Sequence, residues 1–131
     1  MVNSQYHEDV RIISEYFYNV TGGTFVELGA FDGISMSNTR TLAEYFGWSG
    51  VLIEPQADIF RQLKQNRNES YIFNLAVCKN ARDVNVGTLV GPWMRSSGQI
   101  LPDNFTENPY ISHVPCRPLH KILGKTNMKV N

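Results

Sequence analysis

Thr24–Gly33 reads TFVELGAFDG, and Ile34–Thr39 continues it as ISMSNT. The first five residues carry the β-branched and aromatic bias of a short strand. Two glycines four apart, an acid and a small residue follow at once. Gly29 lets the chain turn sharply, and Gly33 lets the backbone approach a ligand closely. Glu27 stands at the strand end, where its carboxylate can accept hydrogen bonds from an amine or a hydroxyl. Ser37, Asn38 and Thr39 sit where the next helix opens, so their polar side chains and free N–H groups can cap that helix and contact a ligand. In open α/β sheets, ligands bind beyond the carboxyl ends of the strands. The stretch therefore predicts a strand ending in a turn built around a small ligand.

The flanking segments extend this into an alternating pattern. Ser4–Tyr18 reads as a helix, with Val10, Ile13, Phe17 and Val20 at spacings of three and four, Ser4 as N-cap and Thr21–Gly23 as the stop. Asn38–Phe46 reads as a second helix, with Leu42, Tyr45 and Phe46 inward and Gly47 ending it. Gly50–Glu54, GVLIE, is nearly all apolar, as a strand buried on both faces of a parallel sheet should be. Pro55 ends it, Ala57–Asn66 forms a third helix with Ile59, Phe60 and Leu63 inward, and Ser70–Val77 forms a third strand. Alternation with short connections predicts a parallel sheet with right-handed crossovers.

Beyond that the pattern changes. Asp83–Val90 alternates like an exposed strand, and residues 91–110 are rich in Gly, Pro, Ser and Asn and read as a loop. Residues 111–116, ISHVPC, suit another strand, and Pro118–Gly124 suits one or two turns of helix. All 131 residues fit one domain, with a hairpin and loop region over 83–116.

Glu54 is the second chemical signal. It ends the second strand, 21 residues after Gly33. An acid at that place can hold both hydroxyls of a ribose. A dinucleotide turn has the form G-x-G-x-x-G and aims a helix at a pyrophosphate. Here the spacing is acid-x-G-x-x-x-G, without the middle glycine, and a strand-end acid repels phosphate but suits a cationic amino-acid group. The pattern favours S-adenosyl-L-methionine over NAD.

Bulk composition excludes several classes. The 12 basic and 12 acidic residues cancel, and no basic stripe marks a nucleic-acid binder. The run RQLKQNR at Arg61–Arg67 reads as a solvated helix face rather than a phosphate patch. No apolar run reaches the ~18–20 residues of a membrane span, and the polar N-terminus is not a signal peptide. Cys78 and Cys116 fit no zinc motif; they are either two partly buried thiols or one disulfide between strand ends. Sequons stand at Asn19, Asn68 and Asn104, as a secretory compartment would allow. His7, His113 and His120 are isolated and read as surface or satisfied histidines, and Asp32 reads equally as ligand contact or turn former. Trp48 and Phe60 are expected in the core, and Trp93 as a loop anchor.

Residues 23–67, followed by NLAV at 74–77, resemble the FkbM-type S-adenosylmethionine-dependent methyltransferases. The likeness lies in the acid-x-G-x-x-x-G turn, the SNT, the GW-x-G before the second strand, the IEP and the F-x-x-L-x-x-N-R helix; VPCRPLHKILG at 114–124 is similar to a later family stretch. The nearest form is the animal branch related to the Star protein, a secretory-pathway membrane protein. The resemblance implies a Rossmann-like class I methyltransferase fold, α/β, with a parallel sheet and flanking helices. It implies that Glu27, Gly29, Ala30, Phe31 and Gly33 line the cofactor's amino-acid end, with Asn38 and Thr39 nearby, Glu54 on the ribose, and Asn74 and Ala76 near the adenine. The expected reaction is O-methyl transfer to an unidentified acceptor, without metal. In the family a fourth strand with acidic residues comes next, at about the point where Val130 and Asn131 stand. The expectation is thus a cofactor-binding part of the fold with no catalytic base to name, or a non-catalytic binding or trafficking module that keeps the fold. A sheet edge left open there would favour pairing with another copy. The compartment is left open by the residues: cytoplasmic, or the secretory lumen for a longer Star-like chain.

Overall fold

The structure, a computed structural model, describes residues 4–68, 71–88, 98–105 and 110–128. It is mixed α/β, with two sheets. Helix α1 spans Glu8–Tyr16, strand β1 Thr24–Leu28, helix α2 Arg40–Phe46, strand β2 Ser49–Ile53 and helix α3 Ala57–Asn66. Strands β3, Tyr71–Phe73, and β4, Ala76–Val77, follow in quick succession. Then come β5, Arg82–Gly87, β6, Gln99–Leu101, β7, Ser112–Arg117, and helix α4, Leu119–Leu123.

The first sheet has the order β1-β2-β3, parallel throughout, with Val26 opposite Val51 and Ile53 opposite Phe73. Successive residues of a strand face opposite sides. Phe25 and Leu52 therefore point one way, onto Leu42, Trp48 and Leu63, with Ile13 and Phe17 packed behind them. Val51 and Ile53 point the other way, onto Leu75 and Ile122. Both faces of β2 are covered, which is why Val51–Ile53 is wholly apolar. β1 is an edge strand: no described strand pairs with its outer side, and Val26 and Leu28 are exposed.

The second sheet has the order β4-β7-β5-β6. β4 runs parallel to β7, and β5 runs antiparallel to both β7 and β6. Alternate residues make its core: Ala76, Val84, Val86, Val114 and Cys116. Cys78 and Cys116 are joined as a disulfide, with Cα atoms 5.7 Å apart, which settles the choice left open by the sequence.

Several expectations need correction. The strand expected over Ser70–Val77 is two strands in different sheets. Asn74 divides them, its amide donating to the carbonyls of Glu54 at 2.8 Å and Pro55 at 3.1 Å. The segment read as loop contains β6, because Gln99–Leu101 pairs with β5 across a distant register that local composition does not reveal. The first helix starts at Glu8 rather than Ser4. Ser4 still serves it: its hydroxyl accepts the Asp9 N–H at 3.2 Å and donates to the Asp9 carboxylate at 2.7 Å. Val10 and Val20 are exposed while Asp9 is buried, so only Ile13 and Phe17 of the expected stripe face the core. The second helix starts at Arg40, since the Thr39 hydroxyl is engaged elsewhere, and Tyr45 is exposed rather than inward. Trp48 is buried, with its ring edge-to-face on Phe17 at 4.9 Å, and Phe60 packs against the same cluster, as expected. Trp93, Ser70, residues 89–90 of the strand expected over Asp83–Val90, and most of the 91–110 loop lie outside the described residues.

Candidate functional site

The carboxyl ends of β1, β2 and β3 meet at one place, and two carboxylates organise it. The first is Glu54, just past β2. The turn after β1 folds over the end of β2, with the Gly29 and Ala30 N–H groups both donating to the Ile53 carbonyl at 2.9 and 3.0 Å. That brings the Phe31 N–H to Glu54 Oε2 at 3.0 Å, while the Gln56 N–H donates to Oε1 at 2.8 Å. The Glu54 N–H donates to the Phe73 carbonyl at 3.0 Å. One buried carboxylate thus ties the glycine turn to the ends of β2 and β3. Burial pushes its pKa above the ordinary carboxylate value, against the two N–H bonds that favour the charged form.

The second is Glu27, near the end of β1. Its carboxylate accepts from the Ser37 hydroxyl at 3.0 Å, the Asn38 N–H at 3.0 Å and the Thr39 hydroxyl. Arg67 stands behind those hydroxyls, 6% exposed. Its guanidinium donates to Ser37 Oγ at 3.0 Å, to Thr39 Oγ1 at 3.3 Å and to the Gly33 carbonyl at 3.0 Å. Each hydroxyl accepts from the cation and donates to the anion, so Ser37 and Thr39 connect Arg67 to Glu27 through hydrogen bonds. The bracket fixes the start of α2 against β1.

The glycines divide the labour differently from the expectation. Gly29 has φ +69° and open space where a Cβ would stand, as a turn facing a cleft requires. Gly33 has φ +78°, but a Cβ there would overlap the Arg67 and Leu63 side chains. Its close approach is to Leu63 of α3 and to Arg67 just beyond that helix, not to open space. Two non-glycine residues in the same loop also take left-handed backbone, Phe31 at φ 52° and Met36 at φ 60°. Such residues concentrate in loops whose shape the surroundings dictate. Asp32 is a turn former: it accepts from the Ile34 and Ser35 N–H groups at 2.9 and 2.7 Å.

A cleft of about 280 Å³ opens between the two sheets at these strand ends. Gly29 lines it from the turn, Ile53 from β2, Pro55 from just beyond it, Ala76 from β4, Val86 from β5 and Ile100 from β6. Its size is just below that of small-molecule sites, which run about 300–1,000 Å³. No ionisable side chain lines it among the described residues. Of the residues singled out in the sequence, Gly29 and Ala76 line the cleft. Glu54, Phe31 and Asn74 form its hydrogen-bonded frame, and Glu27, Gly33, Asn38 and Thr39 belong to the Arg67 bracket. Ala30 is buried in the core beside Leu42. Arg67 is a structural member of the site that the sequence reading did not single out, while Ser37 caps the next helix as expected, accepting the Arg40 N–H at 3.2 Å, and also bridges Glu27 and Arg67. Arg61–Asn66 is indeed solvated apart from its inward residues, but the last member of that basic run is buried. The one hint was its place directly beyond the buried Leu63 turn.

Among the described residues, no group of three or more His, Cys, Asp or Glu side chains is placed to hold a metal ion, and no helix is long and apolar enough to cross a membrane. Comparison of the chain with protein-family models, with curated proteins and with solved structures returned no match.

Proposed function

We propose that this chain is the S-adenosyl-L-methionine-binding part of an FkbM-type methyltransferase with a class I, Rossmann-like fold. The observation that carries the reading is the cleft at the ends of β1 and β2. There an open glycine turn with positive φ is hydrogen-bonded directly to an acid just past the next strand. The order β3-β2-β1 is one half of a doubly wound sheet, whose full order sets a fourth strand against β1. The apolar free edge of β1, with Val26 and Leu28 exposed, is consistent with that, or with pairing to a second copy. In this reading Gly29 gives the methionine end access to the turn, Glu54, which frames the cleft from behind its wall, turns its remaining lone pairs to the ribose hydroxyls when the cofactor enters, and Ala76 flanks the adenine. Glu27 positions the turn through Ser37, Asn38 and Thr39.

Calorimetric titration of the 131-residue chain with S-adenosylhomocysteine tests this. Saturable binding is expected, weakened at least about tenfold in Glu54→Gln, which loses a charged acceptor worth about 1.5–3 kcal/mol. A folded chain that gives no binding heat overturns the reading.

A second reading, a non-catalytic binding module that keeps the fold, is favoured by one observation: the cleft has no ionisable side chain to serve as a base among the described residues. Transfer of a labelled methyl group from S-adenosylmethionine to any acceptor would exclude it.

A further inference from the structure

A second and larger cavity, about 460 Å³, lies on the other side of Leu75 from the glycine turn. Its floor is apolar: Phe73 of β3, Leu75, and Ile122 of α4, which is 1% exposed. Its rim carries four cations, Lys79, Arg117, Lys121 and Lys125, and no acidic residue among the described residues lines it. Four of the chain's 12 basic residues thus surround one cavity in a protein of zero net charge.

The rim is held in place by covalent and backbone structure. Lys79 follows Cys78, and Arg117 follows Cys116, so the disulfide sets both cations at one corner. The Arg117 guanidinium donates to the carbonyls of Cys116 at 2.8 Å and Arg82 at 3.0 Å, and stands 3.7 Å from the exposed Asp83 carboxylate. Lys121 and Lys125 lie four residues apart along α4 and the turn beyond it. Like charges at that spacing repel. Lys79, Lys121 and Lys125 have no ion pair with any described residue. An anion in the cavity relieves that repulsion, and the buried floor adds apolar contact area for the body of the same ligand. The charges ring a hollow instead of running as a stripe, which suits one compact anion and not a duplex.

We propose that this cavity binds an organic phosphate or sulfate monoester with an apolar body, with the ester group among Lys79, Arg117, Lys121 and Lys125 and the body on Phe73, Leu75 and Ile122. The proposal does not depend on the S-adenosylmethionine reading, because the glycine turn and Glu54 line no part of this cavity.

The test is calorimetric titration of the full chain with 2-naphthyl phosphate, beside 2-naphthol and inorganic phosphate. Saturable binding of 2-naphthyl phosphate is expected, at least about tenfold tighter than either half-ligand alone and weakening as salt is raised. Lys121→Gln/Lys125→Gln, two exposed changes that leave the fold intact by circular dichroism, should weaken it about tenfold, as loss of two partly screened charge contacts implies. Equal affinity in that double variant, or equal affinity for inorganic phosphate, overturns the proposal. Phosphatidylcholine vesicles with and without phosphatidic acid separate the sources. Sedimentation with the acidic vesicles that is lost in the double variant identifies a lipid headgroup; 2-naphthyl phosphate binding without sedimentation identifies a free ligand.

Discussion

The two sheets are held together by different means. In the β1-β2-β3 sheet the central strand is buried on both faces, and the polar strand ends are tied down by two internal carboxylates, Glu54 and Glu27. The β4-β7-β5-β6 sheet has a small core of five buried residues and a disulfide across its β4–β7 side. The first gains stability from area and from buried polar bonds, whose loss is costly because water cannot replace them. The second depends on a crosslink that limits the unfolded chain. Perturbing each means of attachment should therefore loosen one sheet and spare the other.

The largest effect is expected at Arg67. Arg67→Met keeps an aliphatic stem against Gly33 but removes the cation over the Phe25 ring and the donors to Gly33, Ser37 and Thr39. Glu27 then faces its hydroxyl bracket without the cation behind it. Removing one partner of a buried charge network costs about 3–5 kcal/mol. Urea denaturation should show that loss, and hydrogen exchange should speed up over residues 29–39 while β5 and β7 stay protected. Loss below about 1 kcal/mol would mean that the bracket contributes little and that apolar packing alone holds the turn.

Reduction of the disulfide, or Cys116→Ser, comes next. The crosslink spans 38 residues, for which loop entropy predicts about 4 kcal/mol and measured native disulfides about 2–5. Exchange should accelerate at β4, β5 and β7, and the β2 amides should keep their protection. If β2 loosens equally, the two sheets unfold as one cooperative unit and the contrast between them is one of bonding, not of stability. The same reduced sample should bind 2-naphthyl phosphate less tightly, since Lys79 and Arg117 lose their common anchor.

The contrast also marks what a reading of residues can reach. β1 and α3 were legible to the residue, because a five-residue run with β-branched and aromatic bias before a glycine turn and an amphipathic ten-residue helix are local signals. The meeting of the glycine turn with Glu54, made through the Phe31 N–H, was legible too, since parallel order places consecutive strand ends side by side. What these residues do once there was not. The Glu27 carboxylate reads as a free acceptor in the sequence, yet three donors from residues 37–39 already occupy it. Arg67 reads as one more solvated cation at a helix end, and its burial follows from Gly33 leaving room for it. The break at Asn74 and the pairing of Gln99–Leu101 depend on partners far along the chain, beyond the reach of periodicity. Asp9 is buried because the Ser4 and Thr41 hydroxyls meet it, at 2.7 and 3.2 Å, so an inward acid displaced the expected valine stripe.

The smallest expected effect carries the sharpest sign. Burial raises the Glu54 pKa above its ordinary value, and the Gln56 and Phe31 N–H bonds only partly oppose it. A carboxyl with a raised folded pKa holds its proton longer in the native state than in the unfolded one. Its contribution to stability is therefore fully present below the unfolded pKa and is lost as pH rises through the folded pKa. Glu54→Gln has no such titration. The variant leaves one of two backbone N–H groups without its acceptor, at a cost of about 1–3 kcal/mol when the acid is protonated. That penalty should shrink as pH rises from the ordinary carboxylate range through the raised folded pKa, as the wild-type acid acquires a buried charge that the amide never carries. Paired denaturation curves of the two proteins over that range cancel the other carboxylates and leave the difference due to Glu54. A penalty that grows with pH would show that the N–H bonds outweigh burial, and that the strand-end acid of the first sheet is held as a stabilised anion.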